Sequence, residues 1–361
     1  MHFTLSTRIA ILQERRSAQP GVEIWRVSIE GQAAEAVAYT DIVGPLAPGA
    51  RVLVNTTAVE LELGTGGQHF IIARLDGAAE AAPAGREDGH ILKLRYTPLQ
   101  GRVLAAEEEA SPYHDLLREA DRLPGTPVVC LGLHSQLAPA AAGVKAANPA
   151  LRVAYVMTDS AALPLAYSRQ VAQLRAAGLL DVTVTAGQAF GGELEAVNPY
   201  SALVVAALAG QADVIIAGQG PGNVGTHTAL GFGGVEQAML LNTVAALEGT
   251  PIAVPRISFA DPRPRHQGIS HHTLTVLGRL ALAPAQVPLP VLPPAQADII
   301  RAQLADTRHD VRLLDGAPGI AYCQQAGISL RSMGRGYEDD PAFFLAAAAA
   351  GRLAGSCFSV A

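Results

Sequence analysis

Between residues 22 and 99 apolar side chains recur with a period of two. Trp25, Val27 and Ile29 alternate with Arg26, Ser28 and Glu30, the pattern of a strand with one buried face. VAYTDIV, RVLVNTT, HFIIARL and HILKLRY predict further strands. Pro48-Gly49, Gly64-Thr65-Gly66-Gly67 and a Gly, Ala, Pro and Asp loop over 77–89 supply the turns between them. Short alternating strands separated in this way predict a small β-barrel or sandwich.

Beyond residue 125 the rhythm changes. PVVCLGL, RVAYVMT, LDVTVTA, DVIIAG and PIAVPRI are apolar runs of strand length without alternation, as parallel strands buried on both faces require. Helices are predicted between them over 137–147, 164–177, 199–209 and 234–248, with Asn198 capping the third and Gly178 and Gly249 stopping the second and fourth. VPLPVLP and HDVRLLD around a helix near 294–304 extend the series, and Asp340-Pro341 opens a final alanine-rich helix. Ser111-Pro112 predicts a connecting helix. The expected organisation is therefore 1–105 as a small β-rich domain, 106–124 as a connecting helix, and 125–361 as an α/β domain with a doubly wound, mostly parallel sheet.

Composition narrows the function classes. A chain of 361 residues has surface for two domains. A net charge of −6 gives no broad attraction for nucleic acid or anionic lipid. Three cysteines without metal-type spacing suggest neither a disulfide framework nor a zinc knuckle. MHFTLSTRIAILQERR lacks the layout of a signal peptide, and no apolar run approaches the ~18 residues of a membrane span. A cytoplasmic location is expected. The only lysines, Lys93 and Lys145, read as a strand-face and a helix-face charge, which sets aside Schiff-base and P-loop chemistry. The alanine-rich helices are compatible with a homodimer.

In an open parallel sheet, ligands bind beyond the carboxyl ends of the strands. Here those ends carry His134-Ser135, Asp159-Ser160, Gly187-Gln188, residues 219–227 and residues 256–272. Gly220, Gly222 and Gly225 form a G-x-G-x-x-G whose bare backbone, with Asn223 and Thr226, suits an anion. The helix start is too late for a dinucleotide fold, and no lysine follows Gly225, so no cofactor is named. The second loop holds Arg256, Arg263 and Arg265, whose forked guanidiniums suit carboxylate or phosphate, beside Asp261, His266, His271 and His272. Stiffened by Pro255, Pro262 and Pro264, this loop reads as a site or as an ion-pair network that pins the chain. His266 or His271 with Asp261 could move a proton. Alternatively His227, Asp261, His266 and His271 could ligate zinc, iron or manganese, although adjacent His271 and His272 are expected to point apart. Glu193 and Glu195 read as solvated loop charges, and Cys323 as a core residue.

GQGPGNVGTHTALGFGGVEQA, RISFADPRPRHQGISHHT and DIVGPLAPGARVLVNTTAVELELGTGGQHFIIARL together resemble a bacterial family known as a domain of unknown function, DUF3866. The resemblance spans nearly the whole chain. It implies a cytoplasmic bacterial protein of this two-part layout and supplies no activity. It also directs attention to Asn55, Thr56, Thr57 and His69, placed in turns from which the barrel could serve as lid, dimerisation surface or plain structural module. Three functions follow as expectations: an enzyme, hydrolase or transferase in kind, that binds a small anionic ligand, phosphorylated compounds included; a metal-dependent hydrolase; and a non-enzymatic binding or scaffold protein.

Overall fold

The computed structural model describes residues 5–62, 66–77 and 89–358. The Gly64-Thr65 part of one predicted turn and most of the 77–89 loop lie outside the described residues. The chain forms two compact units, Met1–Asp88 with Leu94–Arg102, and Gly89–Lys93 with Val103–Ala361.

The first unit is a closed barrel of β1 (Thr7–Gln19), β2 (Val22–Ile29), β3 (Gln32–Tyr39), β4 (Arg51–Asn55) and β5 (Gln68–Arg74), in the order β1-β2-β3-β5-β4. β1 pairs antiparallel with both β2 and β4, and β3 pairs parallel with β5, a Greek-key closure of the OB-fold kind. Ala10, Leu12, Trp25, Val27, Val52, Val54 and Ile71 fill its core. β1 departs from the sequence pattern. Its apolar residues occupy both faces, with Ile9 and Ile11 about half exposed, and two register shifts break its alternation, so no period of two is legible there. Three predicted strands are also shorter than expected. Thr40–Val43 and Thr57–Glu60 turn into single helical turns, and only Ile91–Lys93 of HILKLRY is extended. His69 lies on β5 and is buried, while Asn55 ends β4 and accepts from the Thr57 backbone N–H.

The second unit is an α/β layer structure. Its eight strands are β6 (Pro127–Cys130), β7 (Val153–Thr158), β8 (Val182–Ala186), β9 (Leu194–Ala196), β10 (Val214–Gln219), β11 (Thr250–Ala253), β12 (Gln286–Pro290) and β13 (Asp310–Leu314). They run parallel in the order β9-β8-β7-β10-β6-β11-β12-β13. Alternate residues enter two cores. Val128, Cys130, Val156, Ile215 and Ala217 face α3 (Pro199–Leu208) and α4 (Glu236–Ala246), while Val129, Tyr155, Val214 and Ile216 face α1 (Leu137–Ala147) and α2 (Arg169–Ala176). Later in the chain come α5 (His271–Thr275), α6 (Pro294–Gln303), α7 (Ala317–Gln325) and α8 (Pro341–Ser356). Burial on both faces is why these strands read as continuous apolar runs. The chain winds outward from β7 to β9, returns to β10, then proceeds through β11 to β13 on the opposite side. The reversal places the carboxyl ends of β6, β10 and β11 beside the crevice where such sheets bind ligands.

Four local readings are corrected. Between 106 and 124 the helix is a single turn, His114–Leu117, because this segment satisfies its backbone elsewhere: Ala106 N–H donates to the Glu195 carbonyl and Leu123 N–H to the Leu247 carbonyl. Lys93 is buried and pairs with Glu195 at 3.1 Å, so neither is a solvated charge. Lys145 is buried as well, donating to the Leu151 carbonyl and the Asp181 carboxylate. The helix predicted from 164 begins at Arg169, where the Ser168 hydroxyl accepts from the Val171 N–H.

Candidate functional site

The loop after β11 is built on a short antiparallel ribbon in which Ile257 pairs with Ile269 and Ser258 with Gly268. This ribbon folds residues 259–267 back over its own base, where Ser270 N–H donates to the Arg256 carbonyl and Arg256 N–H to Thr273 Oγ1. Ser270 then caps α5, whose continuation, Val276–Leu280, is a π-turn, a geometry frequent at functional sites.

Asp261 is the hub of the loop. Its carboxylate has no solvent exposure and takes a bidentate pair of bonds from Arg263, at 2.8 Å from Nε and 2.7 Å from Nη2. Arg256 Nη2 lies 3.2 Å and Arg335 Nη2 3.6 Å from Oδ2. The bonds from Arg263 hold this carboxyl well below the usual carboxylate range. Asp340 completes the cluster, accepting from Ser258 Oγ at 2.6 Å and pairing with Arg335. Its side chain is thereby diverted from capping α8, where the sequence predicted a cap. Three guanidiniums thus share two carboxylates, leaving positive charge in excess. Arg256 is 6 % exposed, and its Nε has no hydrogen-bond partner among the described residues. Burial lowers its pKa to about 10.

The histidines lie against this cluster. The ring centroids of His266 and His271 are 5.0 Å apart, those of His266 and His272 5.3 Å, and those of His271 and His272 4.2 Å. One ring nitrogen from each falls within 4.8 Å of the other two. The neighbours His271 and His272 therefore converge instead of pointing apart. His272 stacks on Phe232 with centroids 3.9 Å apart and planes 7° apart, which fixes its direction. His266 Nδ1 contacts Ser270 Oγ at 2.7 Å, leaving Nε2 as its second nitrogen, with Arg265 Nε at a long 3.4 Å. His271 Nε2 is buried and without a partner among the described residues. Desolvation lowers all three pKa values, with the neighbouring arginines adding to it: His266 to about 3, His272 to about 4, and His271 in the same direction. Each of these shifts favours the neutral ring.

The other sequence candidates are placed differently. Gly220 is buried, while Gly222, Asn223, Gly225 and Thr226 stand in an exposed excursion closed by the Gly225–Phe232 bridge. Thr226 Oγ1 is used inside that excursion, with Thr228 and the Gly231 carbonyl. His227 is exposed, with a left-handed φ of 63°. Neither His227 nor Asp261 belongs to the histidine cluster. Arg263 and Arg265 are exposed. Of the glycine-loop residues, Asn223 lines a small pocket of about 20 Å³, room for about one water, together with Phe232, Arg256, His272, Thr273 and Val276. Arg335, Asp340 and Phe232 escaped the sequence reading of the site, Asp340 being read only as a helix cap. The first two come from about 80 residues further along the chain, and the third is one apolar residue in a glycine-rich run.

His134 and Ser135 form no nucleophile pair. His134 Nε2 contacts Ser168 Oγ at 2.7 Å and Nδ1 contacts Tyr155 Oη at 3.2 Å, while Ser135 bonds Ser332. Asp159 accepts from Gln188 N–H, and Ser160 joins Gln219 to Glu236. Cys323 is buried in the core, where desolvation raises its thiol to about 12.

Among the described residues no helix is long and apolar enough to cross a membrane. Comparison with curated proteins and with solved structures returned no match to this chain. A family model does match, over residues 35–351, and that span includes β4 to β13, the Asp261 hub and all three clustered histidines. The chain therefore belongs to the family described as protein of unknown function DUF3866.

Proposed function

We propose that this protein is a metal-dependent hydrolase in which His266, His271 and His272 bind one divalent transition metal. The observation that carries the reading is the convergence of three imidazole nitrogens within 4.8 Å, together with the buried and unpartnered His271 Nε2. A buried nitrogen without a partner is costly to leave unsatisfied, and a metal would satisfy it. Three neutral imidazoles suit zinc and its first-row neighbours. The Ser270 hydroxyl on His266 Nδ1 is the outer-shell contact that directs Nε2 to a metal.

A metal held by these three imidazoles would supply the chemistry of such centres, activation of water near neutral pH. With no carboxylate in the ligand set and guanidiniums nearby, the centre carries a surplus of positive charge and favours an anionic substrate. The alternative, in which His266 or His271 shuttles protons with Asp261, is less well supported. Desolvation makes both rings weaker bases, and Asp261 is spent on arginines.

The test is elemental analysis of protein purified after growth with zinc, manganese, iron and cobalt. About one equivalent of metal is expected, lost in His266→Ala and His271→Ala and retained in His227→Ala. Metal-free wild-type protein that also fails to take up zinc or cobalt in vitro would defeat the proposal.

A further inference from the structure

The three imidazoles of the proposed metal set are placed by different means. His266 is held by the contact of its Nδ1 with Ser270 Oγ at 2.7 Å. His271 Nε2 has no partner among the described residues. His272 lies flat against Phe232, with centroids 3.9 Å apart and planes 7° apart. A stacked neighbour covers the face of an imidazole and leaves the in-plane lone pair for a metal. His272 needs such a constraint, because consecutive side chains leave a helix ~100° apart, yet the His271 and His272 centroids are 4.2 Å apart.

Phe232 comes from outside the segment that supplies the ligands. It sits in the run between β10 and α4, whereas His266, His271 and His272 all follow β11. The chain around it is shaped to deliver the ring. Phe232 is 4 % exposed and lies among Gly231, Gly233 and Gly234. A Cβ on Gly233 would stand 2.5 Å from Asn223 Oδ1, and one on Gly234 would stand 2.8 Å from the Gly132 carbonyl oxygen, so the backbone passes where a side chain has no room. Gly233 N–H donates to the Val224 carbonyl, and Phe232 itself bridges to Gly225. These contacts fix the aromatic ring independently of the histidines.

We propose that Phe232 is a positioning residue for the metal: by stacking on His272 it keeps the third imidazole in the ligand set, which without that ring falls to two histidines. The inference rests on the metal reading of His266, His271 and His272 and adds the device that orders one of them. Contacts that orient a metal-binding imidazole are worth ~10–100-fold in metal affinity. An aliphatic side chain at residue 232 would still fill core volume but would present no flat face to His272, which separates stacking from burial.

The experiment measures the zinc affinity of the full chain by competition with a chromophoric chelator, and the visible absorption of its cobalt(II) form. The proteins compared are wild type, Phe232→Leu, His272→Ala and the Phe232→Leu/His272→Ala double variant. Phe232→Leu is expected to weaken zinc binding at least tenfold and to shift the cobalt spectrum towards that of His272→Ala. Since Phe232 acts through His272, the double variant should bind zinc no more weakly than His272→Ala alone. Phe343→Leu, at a buried aromatic residue in the other core of the α/β unit, controls for general loosening and should leave zinc affinity unchanged. If Phe232→Leu does not fold, Phe232→Met carries the same expectation. Undiminished zinc affinity in Phe232→Leu, additive losses in the double variant, or an equal loss in Phe343→Leu would overturn the positioning role and leave the metal reading standing. Wild-type protein that takes up neither zinc nor cobalt would overturn the metal reading and this inference with it.

Discussion

At the scale of single residues, Asp261 decides whether the loop exists. Its carboxylate is fully buried and neutralises arginines that come from three points in the chain, Arg256, Arg263 and Arg335. Removing it leaves Arg256 buried beside like charges, a change that costs ~3–5 kcal/mol in comparable buried pairs. Asp261→Ala should lower the urea midpoint accordingly, and Asp261→Asn should lower it less because the amide oxygen still accepts. Equal midpoints for Asp261→Ala and wild type would mean that the arginines hold the loop unaided. His134 gives a pH prediction. Desolvation lowers its pKa to about 4, below the ~6.5 of an unfolded histidine. Between these values the unfolded chain binds the extra proton, so stability falls as pH drops from ~6.5 to 4 and rises with pH in that window. The loss from this partly buried ring should reach ~2 kcal/mol, read in the slope of urea midpoint against pH, and His134→Gln should reduce that slope, to which His266 and His272 add in the same direction. The residue types of the site were legible in the sequence, since Arg, Asp and His clustered after one strand. The ring direction of His272 was not, because it depends on stacking against Phe232, forty residues earlier in the chain, which no short-range pattern encodes.

At the scale of elements, the buried parallel strands and most of their helices were legible because burial on both faces leaves a continuous apolar run. β1 was not, with isoleucines on its outer face, nor was the shortness of the 106–124 helix, whose backbone pairs with distant carbonyls. The alanine-rich α8 illustrates a reading that structure sharpens. It crosses α1 so closely that a Cβ at Gly351 would stand 1.8 Å from the Ala140 carbonyl oxygen, and one at Gly143 would stand 2.2 Å from the Ala348 carbonyl oxygen. These are backbone atoms and cannot swing aside. Gly351→Ala should therefore destabilise, by ~1–3 kcal/mol or more as overpacking does, although alanine is the better helix former by up to ~1 kcal/mol. A lower thermal midpoint by far-ultraviolet ellipticity is the expected result. A raised midpoint would mean that helix propensity outweighs the close crossing.

At the scale of the whole molecule, the chain assembles separate cores, and a different signal reports on each unit. The barrel core surrounds Trp25, the only tryptophan, which is 1 % exposed. The longer helices, α1 to α4 and α6 to α8, all belong to the second unit. Tryptophan fluorescence should follow the barrel, and far-ultraviolet ellipticity the α/β unit. Every proposed metal ligand lies in the second unit. A ligand that binds only a folded unit raises that unit's midpoint with concentration. Zinc should therefore move the ellipticity midpoint upward and leave the Trp25 midpoint in place, and a chelator should reverse the shift. Coincident transitions that move together would show one cooperative unfolding event in place of two. A zinc shift seen in Trp25 fluorescence alone would locate metal binding in the barrel, and so remove His266, His271 and His272 from the ligand set.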